Sequence, residues 1–415
     1  MRDIAGSLVA RLRSDIIGQS CVVFVGAGST TERYFRDGGF YARIKKEAAY
    51  SADPPDPSFP KLMQYFCDQV DGGRHNRLIR EAISYIEDFC SPGEPNRVAR
   101  SAASSLATIP YFNRIVTTNW DPILEREMDV LVPIVEDRDL AFWDDKKRQV
   151  LKIHGCITRP YSIVATQSDY DACLSKNPLI FNKLRDLMAT KTFIFIGYSM
   201  RDEDFRSIWE AITGVLGHFT KLAYAIDPKF KPETAAYWRE RGIELVQSYD
   251  STFLGKLRES LEQDGFIPSK AYLGFLDRQD TGIRRLHGKL DQNTNGGMAS
   301  AMYQDGLMHE LEGVLSSAYM GTKRKEDFEQ DLNWTAGIVK KAIEADNFIE
   351  VAYWTGRCVV LEWLCARKTS QIPPLLPPSK NGPLSSIHQR LRPDGTAHRR
   401  VGPLAWAKER GRTPA

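Results

Sequence analysis

Along roughly the first two thirds of the chain, short apolar runs alternate with segments whose apolar side chains recur every three or four positions. The runs are Cys21–Val25, Ile115-Val116, Val150–Ile153, Thr192–Ile196, Leu222–Ile226 and Ile243–Val246. Each is short and unbroken enough to read as a buried strand. Ile4, Leu8, Val9, Leu12 and Ile16 recur at helical spacing ahead of the first run. Between the first and second runs the same spacing appears over 41–50, 60–70, 76–89 and 96–109, with the proline-rich stretch 53–57 as a break. Strands alternating with helices from residue 21 to about 263 predict an α/β domain with a doubly wound, mostly parallel, Rossmann-like sheet. The helices of about 31–110 are predicted to form an inserted cap beside the crevice at the strand ends.

This first domain is assigned to residues 1–265. Residues 269–297 read as turns mixed with charged pieces, with a break at Gly296-Gly297. From Ala299 to Cys365 the pattern is helical again, so 266–370 is expected to be a mainly α-helical region. Met302, Leu307, Leu311 and Leu315 form one face; Phe328, Leu332, Ile338, Val339, Ala342 and Ile343 form another. Phe348, Trp354, Leu361 and Trp363 add large apolar groups that do not fall on one helical face. They serve either as the core of a helical subdomain or as a surface for self-assembly, and the two are compatible. A homo-oligomer through this region is expected.

Charge changes the picture only at the end of the chain. The 45 residues from Gln371 hold eight prolines and eight Lys or Arg against two acids, an excess of +6. Taken from the chain's net +3, that leaves the preceding residues at −3. This Pro-rich basic tail, 371–415, reads as a solvated extended segment. Contact with nucleic acid phosphates or an acidic partner protein is a second use, and nucleic acid is the less favoured one. Seven cysteines (21, 67, 90, 156, 173, 358 and 365) show no close pairing. That spacing argues for reduced thiols in a cytoplasmic protein, against a disulfide framework, and against a zinc site. No apolar run approaches the ~20 residues of a membrane span, and the N-terminal residues lack a signal-peptide core.

Candidate chemistry gathers at the ends of the strands, where open α/β sheets place their ligands. The first run leads into Gly26-Ala27-Gly28-Ser29-Thr30, a turn that would let backbone N–H groups approach a diphosphate. An ordinary strand-to-helix turn has the same form, and the third glycine of a full dinucleotide fingerprint is missing. The second strand ends in Thr117-Thr118-Asn119-Trp120-Asp121, where Asn119 and Asp121 are either ligand contacts or an Asx turn capping the next helix. The third ends in Lys152-Ile153-His154-Gly155; His154 is a base near neutral pH or a structural histidine. The fourth ends in Gly197-Tyr198-Ser199-Met200, followed by Arg201–Phe205, and the fifth in Asp227-Pro228.

The ordered set GAGST, TTNWD, KIHG and FIGYSMRDEDF, with IVATQSDY over Ile163–Tyr170, resembles the prokaryotic sirtuin-like NAD-binding domain. The resemblance spans about 18–263 and implies NAD+ as the substrate. Gly26, Ala27, Gly28, Ser29 and Thr30 would hold the diphosphate. Asn119, next to Thr118, would position the nicotinamide ribose and the attacking water, and Asp121 would contact the carboxamide. His154 would be the base near the ribose hydroxyls. Gly197 and Ser199 would line the phosphate and adenosine-ribose side, and Asp227 would bond an adenosine ribose hydroxyl.

Departures from that family select a branch. The four-cysteine zinc module of deacylating sirtuins is missing: only Cys156 and Cys173 lie between His154 and Phe193, so no metal is expected. Thr31–Arg36 replaces the usual segment after the glycines. The zinc-less branch resembles NAD-hydrolysing effectors of bacterial antiviral systems. The expectation is an NAD+ hydrolase that releases nicotinamide through an oxocarbenium-like centre and depletes NAD in abortive infection. A non-catalytic sensor of NAD or a derivative is the alternative. The resemblance also implies a possible protein partner, such as a HerA-type translocase ATPase.

Overall fold

The structure, a computed structural model, describes residues 4–30, 39–90, 94–198, 203–288, 295–320 and 323–366. Two compact units divide at Arg258. The first begins with helix α1 (Ile4–Ile17) and strand β1 (Cys21–Val25). Four helices follow: α2 (Gly39–Glu47), α3 (Phe59–Val70), α4 (Asn76–Cys90) and α5 (Glu94–Ala107). Then come β2 (Arg114–Thr117), the single turn α6 (Ile123–Glu127), and β3 (Gln149–Lys152). Helices α7 (Gln167–Lys176) and α8 (Pro178–Thr190) lead to β4 (Thr192–Ile196), followed by α9 (Glu203–Leu216) and β5 (Ala223–Asp227). The order closes with α10 (Pro232–Glu240), β6 (Ile243–Gln247) and α11 (Asp250–Gln263), whose last residues lie past the division.

All six strands are parallel, in the order β3-β2-β1-β4-β5-β6. This is the doubly wound Rossmann order, with β1 beside the switch point where the chain reverses direction across the sheet. Every residue of β1, β2, β3 and β4 is buried. That explains their unbroken apolar runs: a parallel sheet covered on both faces offers no polar side for alternation. On one side Phe24, Phe195, Phe205 and Trp209 form a core of tilted, edge-on and stacked rings with centroids 5.1–6.2 Å apart. Within this set such contacts are each worth about 0.5–1.5 kcal/mol beyond area burial.

The helices between β1 and β2 have a core of their own, built from Phe40, Ile44, Leu62, Phe66, Leu78 and Ile86. Trp120, from the loop after β2, sits 5.9 Å from both Phe40 and Phe59. The helical insertion is thereby packed onto a residue of the strand-end loop itself.

The second unit contains α12 (Lys270–His287), α13 (Asn295–Met320), α14 (Lys325–Glu344) and α15 (Phe348–Ala366). Helix α12 corrects the expectation of turns over 269–297. Tyr272, Leu273, Leu276 and Ile283 are buried on one face, and the charged residues between them obscured the period. Gly296 and Gly297 fall in the first turn of α13, which begins at Asn295. Leu307, Leu311, Val339 and Leu361 are core; Trp354 packs against that core, with Trp334 edge-on at 5.7 Å and 61% exposed. The side chains of Phe348 and Trp363, and the tail 371–415, lie outside the described residues. Among the described residues no helix is long and apolar enough to cross a membrane.

Candidate active site

The C-terminal ends of β1, β2, β3 and β4 converge through backbone contacts that set the site's geometry. After β1 a 3-10 turn runs over Ala27–Ser29. Gly26 donates its N–H to Ile196 O at 2.9 Å and Gly28 donates to Gly197 O at 2.9 Å. A Cβ on Gly26 would fall 2.4 Å from Gly197 O, and one on Gly197 (φ +61°) would fall 2.1 Å from Ser29 Oγ. These glycines therefore let the β1 and β4 loops touch backbone to backbone. The N–H groups of Ser29 and Thr30 are also engaged, with Gly26 O and Ala27 O at 3.0 Å each. In this conformation four of the loop's N–H groups serve the protein itself.

The end of β2 is tied to β1 by Thr117, whose hydroxyl donates to Val25 O at 2.7 Å and accepts from the Asn119 N–H at 3.0 Å. Thr118 between them is half-buried. The Asn119 side-chain amide donates to Thr30 Oγ1 at 2.9 Å. Thr30 in turn donates to Asp121 Oδ2 at 3.0 Å, and Asp121 Oδ1 accepts the Ile123 N–H at 3.0 Å. Asp121 thus caps the turn of α6 as an Asx residue does, and both its oxygens have protein partners. Burial lifts its pKa above the usual carboxylate range, and Glu125 adds to the rise; Lys152, the Ile123 N–H and Thr30 pull against it.

Among the described residues, Asn119 Oδ1 and Ser29 Oγ are buried with no hydrogen-bond partner. An unmet buried acceptor costs about 1–3 kcal/mol, so these atoms mark where a ligand or water would be bound. Because Thr30 takes the amide N–H, the oxygen of Asn119 is the side left to accept a hydrogen bond.

His154 follows β3 and is buried. Its Nδ1 lies 3.4 Å from the Tyr170 hydroxyl, with the rings edge-on at 4.9 Å. Its carbonyl accepts the Val164 N–H at 3.0 Å, and Gly155 (φ +87°) turns the chain where a Cβ would meet Ser162 O at 2.1 Å. The histidine is therefore held from three directions. Ser29, Thr30, Asn119, Asp121 and His154 are all at most 4% exposed, so the site is closed in this conformation.

Lys152, Glu125 and Trp120 were not assigned roles from sequence. Lys152 is fully buried, with Nζ 2.8 Å from Glu125 Oε1 and 2.6 Å from the Asp121 carbonyl oxygen. Burial alone would lower its pKa, but Glu125, Cys156 and Asp121 outweigh it, and the ammonium sits above its ordinary value. A lysine inside the run VLKIHG signals that a counter-charge must lie nearby, without saying which residue supplies it.

Asp227 stands at the end of β5 and accepts the Lys229 N–H at 2.8 Å, a local turn on a half-exposed residue. Ser199 lies outside the described residues. Cys156 sits beside Glu125 and Thr158, and Cys173 lies in the sheet core. Among the described residues no three His, Cys, Asp or Glu side chains converge as metal ligands do.

Residues 113–246 match the SIR2-like domain family. A protein called NAD(+) hydrolase ThsA from Cytobacillus dafuensis is 26% identical over 209 residues, 48% of this chain and 39% of that one. The protein of the same name from Bacillus cereus strain MSX-D12 is 24% identical over 237 residues, 55% of this chain and 47% of that one. Defense-associated sirtuin 2 of Bacillus subtilis is 25% identical over 190 residues, 42% of this chain and 19% of its own length. The chain thus spans less than half the length of each of these relatives. Residues 113–246 are thus similar to a SIR2-like domain, set on a sheet of Rossmann strand order, and the chain is similar over part of its length to bacterial proteins named for NAD(+) hydrolysis and for defence.

Proposed function

We propose that this protein hydrolyses NAD+ to nicotinamide and ADP-ribose, with Asn119 and His154 as the reacting side chains. The observation that carries the reading is the buried, unpartnered Oδ1 of Asn119 beside the β1 turn. Cleavage of the nicotinamide bond leaves positive charge at the anomeric carbon and releases a neutral base. The protein's task is to orient the ribose, exclude bulk water and hold one water at that carbon. Asn119 Oδ1 would accept a hydrogen bond from that water while Thr30 fixes the amide. His154 would act as base near the ribose hydroxyls, its ring oriented by Tyr170. Ser29, Thr30 and the backbone of Gly26, Ala27 and Gly28 would face the diphosphate once the loop rearranges, with Gly197, Ser199 and Asp227 toward the adenosine side.

Two relatives named as NAD(+) hydrolases support the chemistry, and the name of the third, a defense-associated sirtuin, supports a role in defence. The closed site favours an effector that is silent until triggered, as depletion of a shared cofactor requires. The helical second unit would mediate self-association and bind a partner such as a translocase ATPase.

The alternative, a sensor that binds without turnover, is favoured by the internal use of four loop N–H groups. Calorimetry with NAD+ followed by chromatography of the mixture separates the two. Nicotinamide and ADP-ribose in equal amounts support hydrolysis; saturable binding with unchanged NAD+ would favour the sensor.

A further inference from the structure

Lys152 is a fully buried charge on β3, and the mechanism above does not use it. Stability does not explain it. An apolar pair of similar volume holds a strand to a helix at least as well as a buried ion pair. What the ammonium does is geometric. It lies two residues before His154 on one chain segment, and it hydrogen-bonds the carbonyl two residues after Asn119 on another. Its second partner, Glu125, belongs to α6, the turn capped by Asp121. From the Asp121 carboxylate the bonds continue through Thr30 to the Asn119 amide. One cation thus connects the two strand ends that carry the candidate reacting groups.

We propose that Lys152, held by Glu125, is a positioning residue that sets the separation of Asn119 from His154 for NAD+ cleavage. This inference rests on the hydrolase reading. Removing either charge alone strands its partner in the interior and threatens the fold. The test therefore uses the volume-conserving double variant Lys152→Met/Glu125→Met, which removes both charges together. The double variant is expected to fold with an unchanged or higher Tm and to bind NAD+ within about threefold of wild type. Its kcat should fall about 10- to 100-fold, the loss that a displacement near 1 Å produces.

A folded double variant with wild-type kcat overturns the proposal. So does one whose NAD+ affinity and kcat fall together, because that pattern belongs to a damaged pocket. If the wild type binds NAD+ without cleaving it, the hydrolase reading fails. The crystal structure of the double variant then decides the positioning: a changed Asn119–His154 separation supports it and an unchanged one overturns it.

Discussion

Asn119 Oδ1 is oriented to accept a hydrogen bond because Thr30 holds the amide nitrogen. Thr30→Val removes that partner and one of Asp121's donors, while Thr30→Ser keeps the hydroxyl. Steady-state assays should show kcat for nicotinamide release lowered about 10- to 100-fold in the valine variant and nearly restored in the serine variant. Equal losses in both would place the effect in packing. A second residue reports on pH. Burial pushes the Asp139 carboxyl up, but the N–H groups of Glu136 and Val135 and the Arg159 guanidinium outweigh it and hold it below its ordinary 3.8. A depressed folded pKa stabilises fully above the unfolded value, and the contribution is lost as pH falls through the folded one. Asp139→Asn should therefore cost about 2 kcal/mol at pH 7, with the gap to wild type closing below about pH 4. Urea unfolding at the two ends of that range checks it; a constant gap contradicts it. Asn119 and His154 stand out as candidates in the sequence because each is a polar residue just past an apolar run. Thr30's two hydrogen bonds join residues 91 and 89 positions apart, and Glu125 pairs with Lys152 across 27. No local pattern encodes such pairings.

At the scale of elements, the meeting of the β1 and β4 loops is the most constrained contact. Gly197→Ala would need both a left-handed alanine and room where Ser29 already stands. Destabilisation of about 1–3 kcal/mol is expected, read as a lowered Tm; an unchanged Tm would show that the loops separate freely. The strands were readable since both sheet faces are covered, which leaves uninterrupted apolar runs. The inserted helices were readable from their spacing. Helix α12 was not, because Lys270, Arg278, Arg284 and Arg285 surround a narrow apolar stripe that resembles a charged linker. The GAG turn also had two readings in sequence, and the structure adds a third use. Its glycines clear space for Gly197 as well as for any phosphate.

At the scale of the whole molecule, the two units have separate cores. If the helical unit mediates self-association, light scattering should find the full chain oligomeric and a chain ending at Gln263 monomeric. An oligomer that survives the truncation would move the interface to the α/β unit. The central claim is that a sirtuin-like site in this protein breaks the nicotinamide bond of NAD+. The most direct test is nicotinamide release from NAD+ by the purified wild type and by Asn119→Ala, with matching circular dichroism and Tm as proof of folding. The account predicts equimolar nicotinamide and ADP-ribose from the wild type and a rate at least about 100-fold lower from the variant; equal rates from the two folded proteins would contradict it.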